Sequence, residues 1–250
     1  TLFHIRGSLG EIYAASMARH GAQMPSQAIE MRFRKAFASA PPLSFPGATG
    51  EVLQRLERVW WRTLVAEVML PAGAFPRFQD CFNELWDLFQ TGQGWELDPE
   101  AKQLLDHLAA QGYRMGIISN FDSRLRPLLR DLGIADHFQS VTLATEEGVM
   151  KPNPEIFRRV MQRHDLQPGE AIYVGDNPRR DVEGARAAGM TPVLVVRPRF
   201  VPGWETAPLP RAGASPSGVR QFASLGRLLK WFTETALDTT GETNLRGPHP

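Results

Sequence analysis

The chain has 250 residues, 42% hydrophobic and 22% charged, with 28 Lys+Arg against 27 Asp+Glu and a formal net charge of +1; this is the make-up of a water-soluble globular protein of one large domain or two modest ones. So small a charge excludes electrostatic capture by nucleic acid or an anionic membrane, and no apolar run approaches the roughly 20 residues that span a bilayer. The one cysteine, Cys81, excludes a disulfide framework; it reads as a buried, inert thiol, and with no signal-peptide pattern the expected setting is the reducing cytoplasm.

From Ser8 to about Phe89 apolar residues recur at helical spacing. Leu9, Ile12, Tyr13 and Ser16 share one face; Val52, Leu53, Leu56, Val59, Trp60, Leu64 and Val68 form a longer stripe; Phe75, Phe78, Phe82, Leu85, Trp86 and Phe89 form another. Gly21, Pro41-Pro42, Gly47, Pro71 and Gly73 punctuate the segment. The pattern predicts four or five helices and no strand. Trp60 and Trp61 diverge on a helix, so one of them must face outward or across an interface.

From Asp98 to Val196 the texture changes to short apolar runs alternating with amphipathic ones. The spacing predicts a helix from Asp98-Pro99-Glu100 to Gln111, a strand over Tyr113–Ile118, a helix over Ser123–Leu132 closed by Gly133, and a strand over Val141–Leu143. A helix over Pro154–His164 capped by Asn153 follows, then strand 171–174, helix 180–188 closed by Gly189, and strand Pro192–Val196. Alternation of this kind predicts an α/β fold with a mostly parallel sheet. Residues 197–217, rich in Pro, Gly and Arg, read as a loop; Val219–Phe222 reads as a last strand, Leu225–Phe232 as a last helix, and 233–250 as a polar, disordered tail.

Three strand or loop ends carry polar residues. Ile172–Val174 runs into Gly175-Asp176, with Asp181 five residues on. Carboxylates at the C-terminal edge of a parallel sheet suit Mg²⁺ shared with a phosphate; equally, both acids would cap the following helix. Ser119-Asn120 ends the run Ile117-Ile118 and offers a hydroxyl and an amide to a phosphate oxygen, or simply starts a helix. Lys151 stands before Pro152 and Pro154, on a stiff loop outside any helix interior; a lone lysine there is otherwise solvated surface. Together the three describe a pocket for phosphate and metal.

The order hydroxyl, lysine, diacid resembles the haloacid dehalogenase-like hydrolase superfamily. Ser119-Asn120 looks like its second motif, Lys151-Pro152 with Pro154–Phe157 like its third, and Gly175-Asp176 with Asp181 like its fourth; Gly189 and Val193–Val196 also match. The resemblance spans about 98–232, and the helical segment fits the cap that the phosphatase branch inserts between its first two motifs. It implies a Rossmann-like core over 1–7 and 96–232, a helical cap over 8–95, and a tail over 233–250. Of the first motif, Asp-x-x-x-Thr-Leu, only the tail is matched, by Thr1-Leu2. The nucleophilic Asp would lie four residues before Thr1, so the chain as written is expected to be hydrolytically inactive and poorly stable, with a gap where the central strand would pair.

The implied chemistry is Mg²⁺-dependent hydrolysis of a phosphomonoester through an aspartyl phosphate. Lys151 would neutralise charge, Ser119 and Asn120 would hold phosphate oxygens, and Thr1 would stand beside the nucleophile. Asp176 would bind the metal directly or through water; Asp181 would support the metal or orient Lys151. The implied partner is a small phosphorylated metabolite, with no nucleic acid or membrane, and the protein would be a monomer or homodimer. A 2-haloacid dehalogenase uses the same nucleophile without metal, which the diacid disfavours. A phospho-receiver domain lacks a helical insertion of this size. A non-catalytic protein binding phosphate or a partner is the remaining alternative. The six histidines show no metal-ligand spacing, and no cap residue announces the substrate.

Overall fold

The computed structural model of the protein describes residues 1–73, 75–196 and 218–237. Strand β1 (Phe3–Ile5) leads into four helices: α1 (Leu9–Arg19), α2 (Ser26–Ser39), α3 (Gly50–Met69) and α4 (Phe78–Phe89). Strand β2 (Trp95–Leu97) then returns to pair antiparallel with β1, Ile5 opposite Trp95. Three-residue strands are too short to show alternation, so this pair, which frames the helical segment, is invisible in the sequence.

The expected alternation follows: α5 (Ala101–Ala110), β3 (Gly116–Ser119), α6 (Leu125–Asp131), β4 (Ser140–Leu143), a one-turn α7 (Ala144–Glu147), α8 (Pro154–Arg163) and β5 (Ile172–Gly175). A π-helical stretch, Pro178–Glu183, runs into α9 (Gly184–Ala187), before β6 (Thr191–Val195), β7 (Arg220–Phe222) and α10 (Leu225–Leu237). The helix expected from residue 180 thus starts two residues earlier, because Asn177 caps it: its Oδ1 accepts from Arg179 N and Arg180 N at 3.1 and 2.8 Å. The last helix runs to Leu237, so the first part of the expected tail is helical. The loop expected over 197–217 and the tail from 238 on lie outside the described residues. Among the described residues no helix is long and apolar enough to cross a membrane.

All pairings beyond β1–β2 are parallel: β3 with β4, and β5–β6–β7. Strands β3 and β5 do not pair with each other. Both line a cavity of about 870 Å³.

The helices pack on the α/β part through one continuous apolar core. Tyr13, Phe33, Phe82 and Phe89 share it with Trp95, Leu125, Leu128 and Leu143; each such side chain, fully buried, is worth ~1.5–3 kcal/mol. The stripe expected on α3 divides. Leu53, Leu64 and Val68 are buried, but Val52 and Val59 are more than half exposed, at 58% and 55%. Between them Glu57 is fully buried. Its carboxylate accepts from Ser123 N at 3.1 Å and from the Ser123 hydroxyl, and burial pushes its pKa up against those bonds. Both tryptophans are committed: Trp60 Nε1 donates to Pro41 O at 2.9 Å, and Trp61 Nε1 reaches across to Asp122 Oδ2 at 2.5 Å. Asp122 is itself buried in a two-point pair with Arg124, at 2.9 and 2.6 Å, whose guanidinium lies over Trp86 at 4.1 Å.

On the outer side of the helices Glu84 of α4 accepts from Arg19 of α1, with His20 Nε2 at 2.8 Å. The Arg19 bonds, helped by His20, hold its carboxyl down at about 2. A carboxyl lowered on folding stabilises above its unfolded value and loses that contribution as pH falls through its folded value. Glu84→Gln is therefore expected to lower Tm by ~2–4 °C at pH 7, about 1 kcal/mol for a pair this exposed. Melting curves of both proteins should converge between pH 4.5 and about 2.

Candidate active site

Ser119, the last residue of β3, turns its hydroxyl back to accept from Phe121 N at 3.1 Å. This bend sends Asn120 across to the loop before α8. Asn120 Oδ1 accepts from Lys151 N at 2.8 Å and its Nδ2 donates to Lys151 O at 2.9 Å. One amide thus fixes the lysine backbone on both sides. The Lys151–Pro152 peptide is cis. Asn153 then caps α8, accepting from Glu155 N at 3.0 Å, as its spacing predicts.

The lysine side chain runs inward. Its Nζ lies 2.7 Å from Asp181 Oδ1 and 2.7 Å from the Tyr173 hydroxyl. That phenol reaches on to Ile118 O of β3 at 3.1 Å, so a single side chain of β5 spans the space between the two sheets. Burial alone would push the Lys151 ammonium down; Asp181 and Tyr173 outweigh it and hold it above its ordinary value. Burial raises the Tyr173 phenol, so it stays protonated.

Asp181 is the hub. While Oδ1 takes Lys151, Oδ2 accepts from Asp176 N and Asn177 N at 3.1 and 2.9 Å. The residue is 4% exposed. Gly175 is required by this arrangement rather than by its backbone angles: a Cβ there would land on the Asp181 side chain. The sequence left Asp181 two roles, and it makes the contact that orients Lys151. Helix capping, offered for both acids, falls instead to Asn177.

Asp176, by contrast, turns toward the cavity. Its side chain is 33% exposed, and the Thr1 ammonium lies 3.1 Å from its Oδ2. All six residues expected at the site, Thr1, Ser119, Asn120, Lys151, Asp176 and Asp181, line the one cavity. Among the described residues no group of three or more His, Cys, Asp and Glu side chains is arranged to hold a metal. The donors still fit Mg²⁺, which needs only one or two carboxylates and completes its shell with water and phosphate oxygens. Asp176 faces the cavity, and Asp181 holds the turn that carries it by accepting from its backbone N–H. Tyr173 and Asn177 were not anticipated as site residues. A phenol inside the short apolar run Ile172–Val174 was the available signal, since a tyrosine drawn into a strand of the core needs a partner for its hydroxyl.

A family model described as haloacid dehalogenase-like hydrolase matches residues 2–189. The chain is 34% identical over 205 residues to haloacid dehalogenase-like hydrolase domain-containing protein 3 of Homo sapiens, covering 80% of this chain and 79% of that protein. It is 36% identical over 186 residues to phosphoserine phosphatase of Thermus thermophilus, covering 68% and 74%. Among solved structures, L-2-haloacid dehalogenase of Xanthobacter autotrophicus superposes with a TM-score of 0.65 at 19% identity, over 93% of this chain and 94% of that one; this is a likeness of fold.

The buried Lys151–Asp181–Tyr173 cluster should dominate stability near the site. Asp181→Asn strands a buried ammonium and is expected to cost ~3–5 kcal/mol; Tyr173→Phe strands Ile118 O and is expected to cost ~1–3 kcal/mol. Urea midpoints at pH 7 check the order. A cation raised on folding keeps its contribution below its unfolded pKa, 10.5, and loses it only as pH rises through the higher folded value. The Asp181→Asn deficit should therefore persist undiminished to pH 10.

Proposed function

The chain belongs to the haloacid dehalogenase-like hydrolases, and on that premise we propose that it is a Mg²⁺-dependent phosphomonoesterase for a small phosphorylated metabolite. The observation that carries this reading is the pairing of opposite charges at one mouth: a lysine whose charge is secured by Asp181, and a carboxylate, Asp176, facing the same cavity. A phosphate dianion bridged by a divalent cation complements both at once. A 2-haloacid carries one negative charge and uses no metal, so Asp176 would repel it. The similarity to a phosphatase of Thermus thermophilus supports the same choice.

In this mechanism Lys151 meets the equatorial oxygens of the transferring phosphoryl group, where negative charge accumulates. Its ammonium is already desolvated and aimed, so little reorganisation is needed. Asn120 holds the lysine backbone in place, and Ser119 and nearby backbone amides bind the remaining oxygens. Mg²⁺ held at Asp176 would supply further charge neutralisation. The carboxylate attack on phosphorus implied by the family's first motif is assigned to no residue of this chain. The helical segment 8–95 acts as the cap over a core of 1–7 and 96–232, in a cytoplasmic monomer or homodimer.

Calorimetric titration of this chain with inorganic phosphate and Mg²⁺, alongside turnover of p-nitrophenyl phosphate by a form extended to supply the first-motif Asp, tests this. Phosphate binding should require Mg²⁺, and Asp176→Asn should weaken the metal. Lys151→Ala should lower phosphate affinity roughly tenfold and, in the extended form, kcat by about a hundredfold. Phosphate binding indifferent to both substitutions, or halide release from 2-chloropropionate in EDTA, would overturn the assignment.

A further inference from the structure

The cavity has two ends, and the phosphate-binding residues occupy only one. Ser119 and Asp176 stand at or just past the C-terminal ends of β3 and β5, whereas Tyr113, Arg114 and Glu170 line the opposite end. The helical segment closes over the first end. Trp61 hydrogen-bonds Asp122, two residues beyond Asn120, and Pro46 packs on Gly148, three residues before Lys151. The wall that faces the cavity from that segment includes Phe37, Pro41, Pro42, Leu43, Trp60 and Trp61.

None of the six carries a charge. The two indole N–H groups, the side-chain donors of those six residues, are spent on Pro41 O and Asp122 Oδ2. The three rings form a cluster, Trp60 to Trp61 at 5.0 Å between centroids, and Phe37 at 5.9 and 6.3 Å from each. The lysine and arginine side chains lining the cavity among the described residues, Arg114, Lys151 and Arg180, all come from the α/β part. A second anionic group pointing at the helices would be desolvated against a wall whose described residues offer it no cation, which is costly. A flat apolar group would gain contact with three rings.

Resting on the phosphatase reading above, we infer that the site selects a phosphate ester of an aromatic or bulky apolar alcohol, with no second charge on the leaving group. Phe37 and Trp60 are its specificity-determining residues. This differs from phosphoserine, whose alcohol carries both a carboxylate and an ammonium.

Competition binding with Mg²⁺ tests the inference without turnover, using compounds whose C–P bond cannot be hydrolysed. The probes are 1-naphthylmethylphosphonate, phosphonoacetate and inorganic phosphate, read by quenching of tryptophan fluorescence and by calorimetry. The naphthyl compound is expected to bind at least about tenfold tighter than phosphonoacetate and phosphate. Phe37→Leu and Trp60→Leu should each cut that advantage severalfold and leave inorganic phosphate binding unchanged. Equal or tighter binding of phosphonoacetate by the wild-type protein would overturn the inference and leave the phosphatase reading standing. Failure of inorganic phosphate to bind at all would remove both.

Discussion

One carboxylate holds the site together. Asp181 sits almost fully buried between the strand-end turn it closes and the lysine it orients, and both of its oxygens are engaged. Burying a charge this deeply is tolerable only because every contact is a donor, one of them cationic. The geometry then propagates outward. The glycine before the turn must lack a side chain because the carboxylate occupies that space. The lysine must be bracketed by an amide because its ammonium has a single productive direction. The phenol of Tyr173 joins the cluster and in doing so links β5 to β3.

This explains what was legible in the sequence and what was not. Element types in the α/β part could be read because each helix carries its own stop or start signal: Gly133 and Gly189 at positive φ, and Asn153 as a cap. The site residues could be read because their motifs lie at successive loops that a parallel sheet must bring to one edge. Long-range polar partners could not. Nothing local to Glu57 announces that it will be buried against Ser123, 66 residues away. The antiparallel β1–β2 pair was hidden for a related reason: its register is set by tertiary closure of the chain around the helices, not by a pattern within three residues.

The helices are not a separate layer laid on a finished core. The apolar cluster crosses from α1, α2 and α4 into α6 and β4. The polar bonds from Glu57 and Trp61 end on Ser123 and Asp122, in the loop whose first residues bind Lys151. Substrate-facing and phosphate-facing surfaces therefore share a mechanical frame.

The two adjacent tryptophans give that frame an evolutionary corollary. Trp61 is tethered to Asp122, and through Asp122 to the buried Arg124, so replacing it disturbs the loop behind the lysine as well as the pocket wall. Trp60 bonds only to Pro41, within the helical segment itself. A lineage drifting toward new substrates would find change at Trp60 nearly silent for the chemistry and change at Trp61 heavily penalised. Neighbouring residues of identical type would thus evolve at different rates, one as a variable contact and the other as a fixed strut.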